Sequence, residues 1–289
     1  MHSYFVTLMM LLLTAGPLGC GVVPSNARNW SPDQAVLAHG EFDGDLVTLH
    51  NVRNCEYRTA SDYKVRYYTR TYDLRRIRSV DFVMVPFAGL PGAAHTFLSF
   101  GFEGKGRLEP GAAQAGDEPH DQRPADEYVA VSVEIRKEEG ETYSFAKGIA
   151  NGYELMYVLG DERDLIGLRA NHRLDDVYVY RANATPEQAR ALLVDVIERA
   201  NKLRAEPEFY NLVSNNCTTN VMQHVNKIAR HPIAYNYQVM FPGYADRLAY
   251  DLGLIRGRES FERTKLEARV NRLAYVHRES AEFSSQIRR

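Results

Sequence analysis

Residues 128–137 alternate without a break: Val129, Val131, Val133 and Ile135 interleave with Ala130, Ser132, Glu134 and Arg136. A period of two sends successive side chains to opposite faces of a pleated strand. The segment therefore demands a sheet, with one face against an apolar core and the other able to hold a carboxylate beside a guanidinium. Further strands are expected at 47–57, 80–87, 95–102, 153–159 and 176–180, each bounded by turn-forming residues. Cys55 falls within the first of these and reads as core filler.

Helices follow from a different signal. Thr185, Pro186 and Gln188 spell a capped start, and Leu192, Leu193, Val196, Ile197, Ala200 and Leu203 then share one face. Pro207 ends that helix. A second begins at Cys217 with Val221, Val225 and Ile228, and a third opens at Pro242 and Gly243 and closes at Gly253. The run Asp161, Glu162, Arg163, Asp164 reads as a charged turn, and residues 103–127, rich in Gly, Pro, Ala, Asp and Glu, as a surface excursion. Strands and helices in this mixture give an α+β chain.

Residues 4–13 are almost wholly apolar, too few to cross a bilayer but suited to a secretory signal. Leu18 and Gly19 before Cys20 resemble a bacterial lipobox, which makes Cys20 the expected lipid anchor. The organisation expected is a lipoprotein-type signal over 1–20, a tether and lead-in segment over 21–45, a catalytic domain over 46–255 and a charged, solvated helical tail over 256–289. An exported, periplasmic or envelope location with access to a membrane surface follows. The net charge of −2 gives no footing for nucleic acid. The three cysteines form neither a disulfide framework nor a zinc-spacing pattern, so no metal and no cofactor is expected.

Cys217 stands out among them. It follows Asn211, Ser214, Asn215 and Asn216, residues that favour turns and caps, and it heads a helix. A thiol there meets unpaired backbone N–H groups and the positive end of the helix dipole, which favour the nucleophilic thiolate. The alternative is a buried cysteine acting as a small hydrophobe. A nucleophile needs a base, and His95, opening an apolar strand, is the candidate among nine histidines. His224, seven residues beyond Cys217, is about 10 Å along the same helix, too far for a direct hydrogen bond. Glu134 can orient an imidazole on a neighbouring strand, with Ser132 and Arg136 in support, or it can simply pair with Arg136. Tyr210, Asn215 and Asn216 are candidates for oxyanion stabilisation or orientation beside the Cys217 backbone N–H.

The segments 95–102 and 132–144, Tyr153-Glu154-Leu155 with 161–164, and Pro207 to Asn211 with Asn215-Asn216-Cys217-Thr218-Thr219 resemble the Lnb N-terminal periplasmic domain family over roughly residues 45–230. The order of histidine before cysteine, with the cysteine at a helix start, is similar to permuted papain-like thiol enzymes of the NlpC and lecithin:retinol acyltransferase types. These resemblances imply an antiparallel sheet packed on helices, Cys217 as nucleophile and His95 as base. They also imply transfer of an acyl chain, from a phospholipid or acylated lipoprotein, through a thioester to the N-terminal amine of a lipoprotein. Phe97, Phe100, Phe102 and Tyr210 are expected to wall the acyl chain. A cysteine peptidase or amidase acting on peptidoglycan is the alternative enzyme, and a non-catalytic envelope lipoprotein the alternative outside enzymes.

Overall fold

A computed structural model describes residues 23–104, 107–108 and 126–288. The expected signal peptide, Cys20 and most of the 103–127 excursion lie outside the described residues. The strands are β1 (His39–Asp43), β2 (Leu46–Arg53), β3 (Glu56–Tyr57), β4 (Tyr63–Lys64), β5 (Tyr67–Asp73), β6 (Ile77–Pro86), β7 (Ala94–Glu103), β8 (Arg107–Leu108), β9 (Asp126–Arg136), β10 (Tyr153–Gly160), β11 (Tyr178–Arg181) and β12 (Phe209–Tyr210). Ten of them make one sheet in the order β11-β6-β7-β9-β10-β2-β5-β8, with β1 added on β2 and β12 on β10. Every pairing is antiparallel except a single bridge between Gly160 of β10 and Arg53 of β2. The fold is thus mixed α+β with a mostly antiparallel sheet.

The helices are α1 (Phe145–Ile149), α2 (Glu162–Gly167), α3 (Pro186–Ala205), α4 (Cys217–Ile228), α5 (Tyr237–Met240), α6 (Ala245–Asp251), α7 (Phe261–Ala268), α8 (Asn271–Val276) and α9 (Phe283–Gln286). The expected capping box at α3 forms: Thr185 accepts from the Gln188 N–H, and Gln188 reaches back to the Thr185 N–H. Such a cap is worth about 1 kcal/mol.

Alternation along β9 separates two cores. Val129, Val131 and Val133 join Leu98, Phe100, Leu155 and Tyr157 beneath α3 and α4. Ala130 joins Phe97, Met156 and Val158 on the opposite face, beneath α2, α8 and α9. Two layers of helix therefore sandwich the sheet. The pattern of β9 called for one apolar and one polar face; the polar face proves to be buried too, with Ser132 and Arg136 both enclosed.

Three expectations need correction here. The 256–289 segment is not a solvated tail. Its sparse apolar residues Val270, Ala274, Phe283 and Ile287 are buried in the second core, and Arg288 forms ion pairs with the buried Asp81 and Glu162. The 23–45 segment is not a tether. Trp30 is buried beneath the Arg136 guanidinium, 4.2 Å from its ring centre, and β1 pairs with β2. Lastly, residues 161–164 are not a charged turn between strands but the start of a helix: Asp161 caps α2, and Asp164 is fully buried, gripped by two bonds of 3.0 Å from Arg53. Charge in this chain is used inside the fold, where a pair is retained only when hydrogen-bonded throughout.

Candidate functional site

Cys217 is the first residue of α4. Asn216 caps the helix, its side chain accepting from the Thr219 N–H at 2.9 Å while Thr219 Oγ1 accepts from the Asn216 N–H at 2.8 Å. The thiol is nearly enclosed, 5% exposed, and its Sγ lies 3.9 Å from Thr218 Oγ1. Thr218 in turn meets Thr96 of β7, hydroxyl to hydroxyl, at 3.0 Å. That contact fixes the start of α4 on the Thr96 face of the sheet.

His95 points the other way, because neighbours in a strand face opposite sides. Its ring lies 5.6 Å from Phe97, its neighbour on that face. Nε2 meets Ser132 Oγ at 2.7 Å, Ser132 donates to Glu134 Oε1 at 2.9 Å, and Arg169, from the wide turn after α2, donates to the same oxygen at 3.1 Å. His95, Ser132 and Glu134 are therefore brought together as the sequence suggested, but with Ser132 as the link between imidazole and carboxylate. The network is one of fixed charges. Burial drives the His95 pKa down to about 3, helped by Arg169, so the ring is neutral near pH 7. Burial alone would raise the Glu134 pKa, but Arg169 and Arg53 outweigh it and hold the carboxylate well below its usual range.

The structure does not bring His95 to Cys217: the sheet lies between them. A papain-like pairing of this cysteine and this histidine is not formed. Nor does Arg136 pair with Glu134. Its guanidinium donates to the Gln34 and Ala35 carbonyls and to Asn26, tying the N-terminal segment to β9. Asn215 and Asn216 are likewise committed. The Asn215 amide donates to the Phe209 carbonyl and accepts from Asn220, while the Asn216 amide donates to the Leu212 carbonyl. These bonds hold the loop in shape and orient both amides towards the backbone. Tyr210 does remain beside the thiol, its pKa raised by burial and then by Cys217.

Sequence reasoning passed over the imidazole that shares the cysteine's face. Cys217, Asn220, Val221 and His224 repeat at three- and four-residue spacing, so they line one stripe of α4. His224 Nδ1 meets Asp195 of α3 at 2.6 Å, and Nε2 meets the Tyr157 hydroxyl at 2.7 Å. That hydroxyl also donates to Asn220 Oδ1 at 2.9 Å. Burial lowers the His224 pKa against the pull of Asp195, and that carboxylate orients the ring. Its side chain leans back towards the helix start, as far as Asn220. Cys55, by contrast, is inert: burial and Asp164 push its thiol up to about 12.

An apolar cleft runs along the neighbouring stripe of α4. Thr218, Val221, Met222, Val225 and Ile228 form one wall, and β6, the start of α3 and residues 245–255 complete it. Phe97, Phe100 and Phe102, expected to wall an acyl chain, are instead core, and Phe97 lies on the far face.

Residues 63–242 match the family model of the Lnb N-terminal periplasmic domain, which is more than half of the chain, so the chain belongs to that family. No curated protein and no solved structure matches it. Among the described residues, no helix is long and apolar enough to cross a membrane.

Proposed function

We propose that this member of the Lnb N-terminal periplasmic domain family is a cysteine-dependent acyltransferase whose acyl chain lies in the cleft along α4. The observation that carries the reading is the junction of thiol and cleft: Thr218 lines the cleft, and its hydroxyl is 3.9 Å from Cys217 Sγ. A carbonyl at that junction has its alkyl chain on Val221, Met222 and Val225 and its carbon next to sulfur. The donor is a phospholipid or acylated lipoprotein. Thiolate attack forms a C–S bond and breaks the ester C–O bond, and the leaving alcohol takes up the proton that the thiol gave up. The N-terminal amine of a lipoprotein then displaces the thiolate, forming the amide and returning its proton to sulfur. The base assigned is His224, in place of His95, reached from the thiol by a proton relay through water and the Tyr157 hydroxyl that meets its Nε2, with the Cys217 N–H as oxyanion donor.

Membrane access has its own support. Phe87 and Leu90, with Tyr237, Met240, Phe241 and Tyr244, are exposed large apolar side chains. The two loops are joined by a hydrogen bond of 2.8 Å from the Gly243 N–H to the Gly92 carbonyl. Val239 and Ala245 of the same segment line the cleft. Aromatic rings with a polar end suit a bilayer interface, so the donor lipid would enter where it is bound. A cleft so poor in polar groups argues against peptidoglycan stems as substrate. A second reading, an acyl-chain carrier without covalent chemistry, is favoured by the near enclosure of Cys217 and the remoteness of His95.

The test is N-acylation of lipoproteins, read by mass spectrometry of their N-termini, in a strain lacking its own N-acyltransferase. Expression of the parent chain is expected to restore the N-acyl mass and Cys217→Ala to abolish it. Restoration by Cys217→Ala overturns the proposal.

A further inference from the structure

Three potential ligand side chains meet on the β1–β2 hairpin, far from α4. His39 and His50 are directly paired across the two antiparallel strands, and Glu41, two residues from His39, shares its face. The diagonal neighbour in such a ladder lies within reach of a long side chain. Accordingly, Glu41 Oε2 stands 3.6 Å from His50 Nε2, and the imidazole rings stack with centroids 4.5 Å apart. One ligand atom from each of the three residues falls within 4.8 Å of the others.

The hydrogen bonding of these rings is what an ordinary structural role does not explain. His39 Nδ1 and His50 Nε2 are buried and lack a hydrogen-bond partner, a state that buried polar atoms rarely keep without a ligand or water. His50 Nδ1, on the other side of its ring, is 3.5 Å from the Thr69 hydroxyl. A metal-ligating histidine is commonly oriented in this way through its second nitrogen. We propose that His39, Glu41 and His50 bind a divalent transition-metal ion of the zinc class, stapling β1 to β2.

Two imidazoles and one carboxylate make a donor set suited to zinc or copper rather than calcium or magnesium. Tetrahedral zinc with ligands at about 2.0–2.1 Å sets its donors roughly 3.3 Å apart. The Glu41–His50 spacing already approaches that, and the exposed Glu41 carboxylate and one ring rotation supply the rest. A fourth position stays open to water. Arg204, at the end of α3, is a cation that faces His39, and the Glu41 carboxylate opposes it there. The ion has no role in the thiol chemistry proposed for Cys217, so the two stand or fall separately.

The experiment uses the untagged protein, stripped with chelator and dialysed against zinc chloride, with bound zinc measured by elemental mass spectrometry and affinity by competition with a chelating dye. The expected result is one zinc per chain, with a melting temperature raised by zinc and lowered again by chelator. His39→Gln, His50→Gln and Glu41→Gln should each weaken binding, the histidine changes by at least the roughly 10–100-fold that loss of a supporting partner costs a metal site. Circular dichroism establishes that each variant is folded. Cobalt loaded in place of zinc gives an independent readout on the parent chain alone: strong visible bands report nitrogen and oxygen donors in a tetrahedral site. No saturable binding by the parent, or unchanged stoichiometry and affinity in the folded His39→Gln/His50→Gln double variant, overturns the proposal.

Discussion

Thr96 and Thr218 meet hydroxyl to hydroxyl at 3.0 Å, and that contact decides which residues can act together. It seats the cysteine end of α4 on the face of β7 opposite to His95. The stripe that carries Cys217 then also carries His224, with Asp195 and Tyr157 about it.

The two histidines should therefore separate in a mutant series. His224→Gln is expected to slow acylation of Cys217 by about 10²-fold or more, within the usual range for loss of a general base. His95→Gln should leave the cysteine's chemistry within a few-fold of the parent at neutral pH wherever the protein is folded. The measurement is the rate of adduct formation on Cys217 by time-resolved mass spectrometry. A larger loss in His95→Gln than in His224→Gln, with both folded, contradicts the assignment.

His95 should instead declare itself in stability at acid pH. Its pKa falls from 6.5 unfolded to about 3 folded, so between those values the unfolded chain binds the extra proton. Stability then rises with pH through that window and is lost as pH falls from 6.5 towards 3, at up to about 1.4 kcal/mol per unit. Glu134 adds in the same direction further down: its depressed pKa gives stability that is present above the unfolded value and lost as pH falls through the folded one. Urea midpoints measured from pH 7 to pH 4 should drop more steeply for the parent than for His95→Gln. Parallel curves would count against the buried neutral ring.

How much of this was legible beforehand differs from element to element. Strand β9 and helix α3 announced themselves because their apolar residues keep the period of their secondary structure, and the cap at Thr185 is a local signal. The Cys217 helix start was legible for the same reason. The side of the sheet on which α4 lands was not, because it depends on the connection through β12 and on the Thr96–Thr218 contact between residues 122 positions apart. His224 was set aside on its backbone spacing, and its partners come from α3 and β10, elements that no local pattern ties to it. The C-terminal segment misled by composition: its arginines look solvent-bound until Asp81 and Glu162 are found buried beneath Arg288.

Arg288 offers a direct check on that last point. Arg288→Ala would leave Glu162 and Asp81 short of a cation in the core, although Arg181 still holds Asp81. Breaking a buried pair by removing one partner costs roughly 3–5 kcal/mol. Denaturant unfolding should show a loss of that order, whereas a solvated tail would give a change below about 0.5 kcal/mol.

Filling the cleft should block the substrate without disturbing the thiol. Val225→Trp and Ala229→Trp place an indole into the wall formed by α4. Each is expected to weaken displacement of a fluorescent fatty acid at least tenfold, or about 1.4 kcal/mol. The rate of Cys217 alkylation by a small iodoacetamide should stay within a few-fold of the parent. Unchanged fatty-acid affinity in both folded variants would place the acyl chain elsewhere.

The central claim is that Cys217 carries the acyl chain, and intact-protein mass spectrometry after incubation with phospholipid vesicles tests it most directly. The account predicts a single fatty-acyl mass increment, released by hydroxylamine as a thioester is, mapped to Cys217 and absent from Cys217→Ala. An increment of the same size in Cys217→Ala, or none in the parent under conditions where fatty acid occupies the cleft, would contradict it.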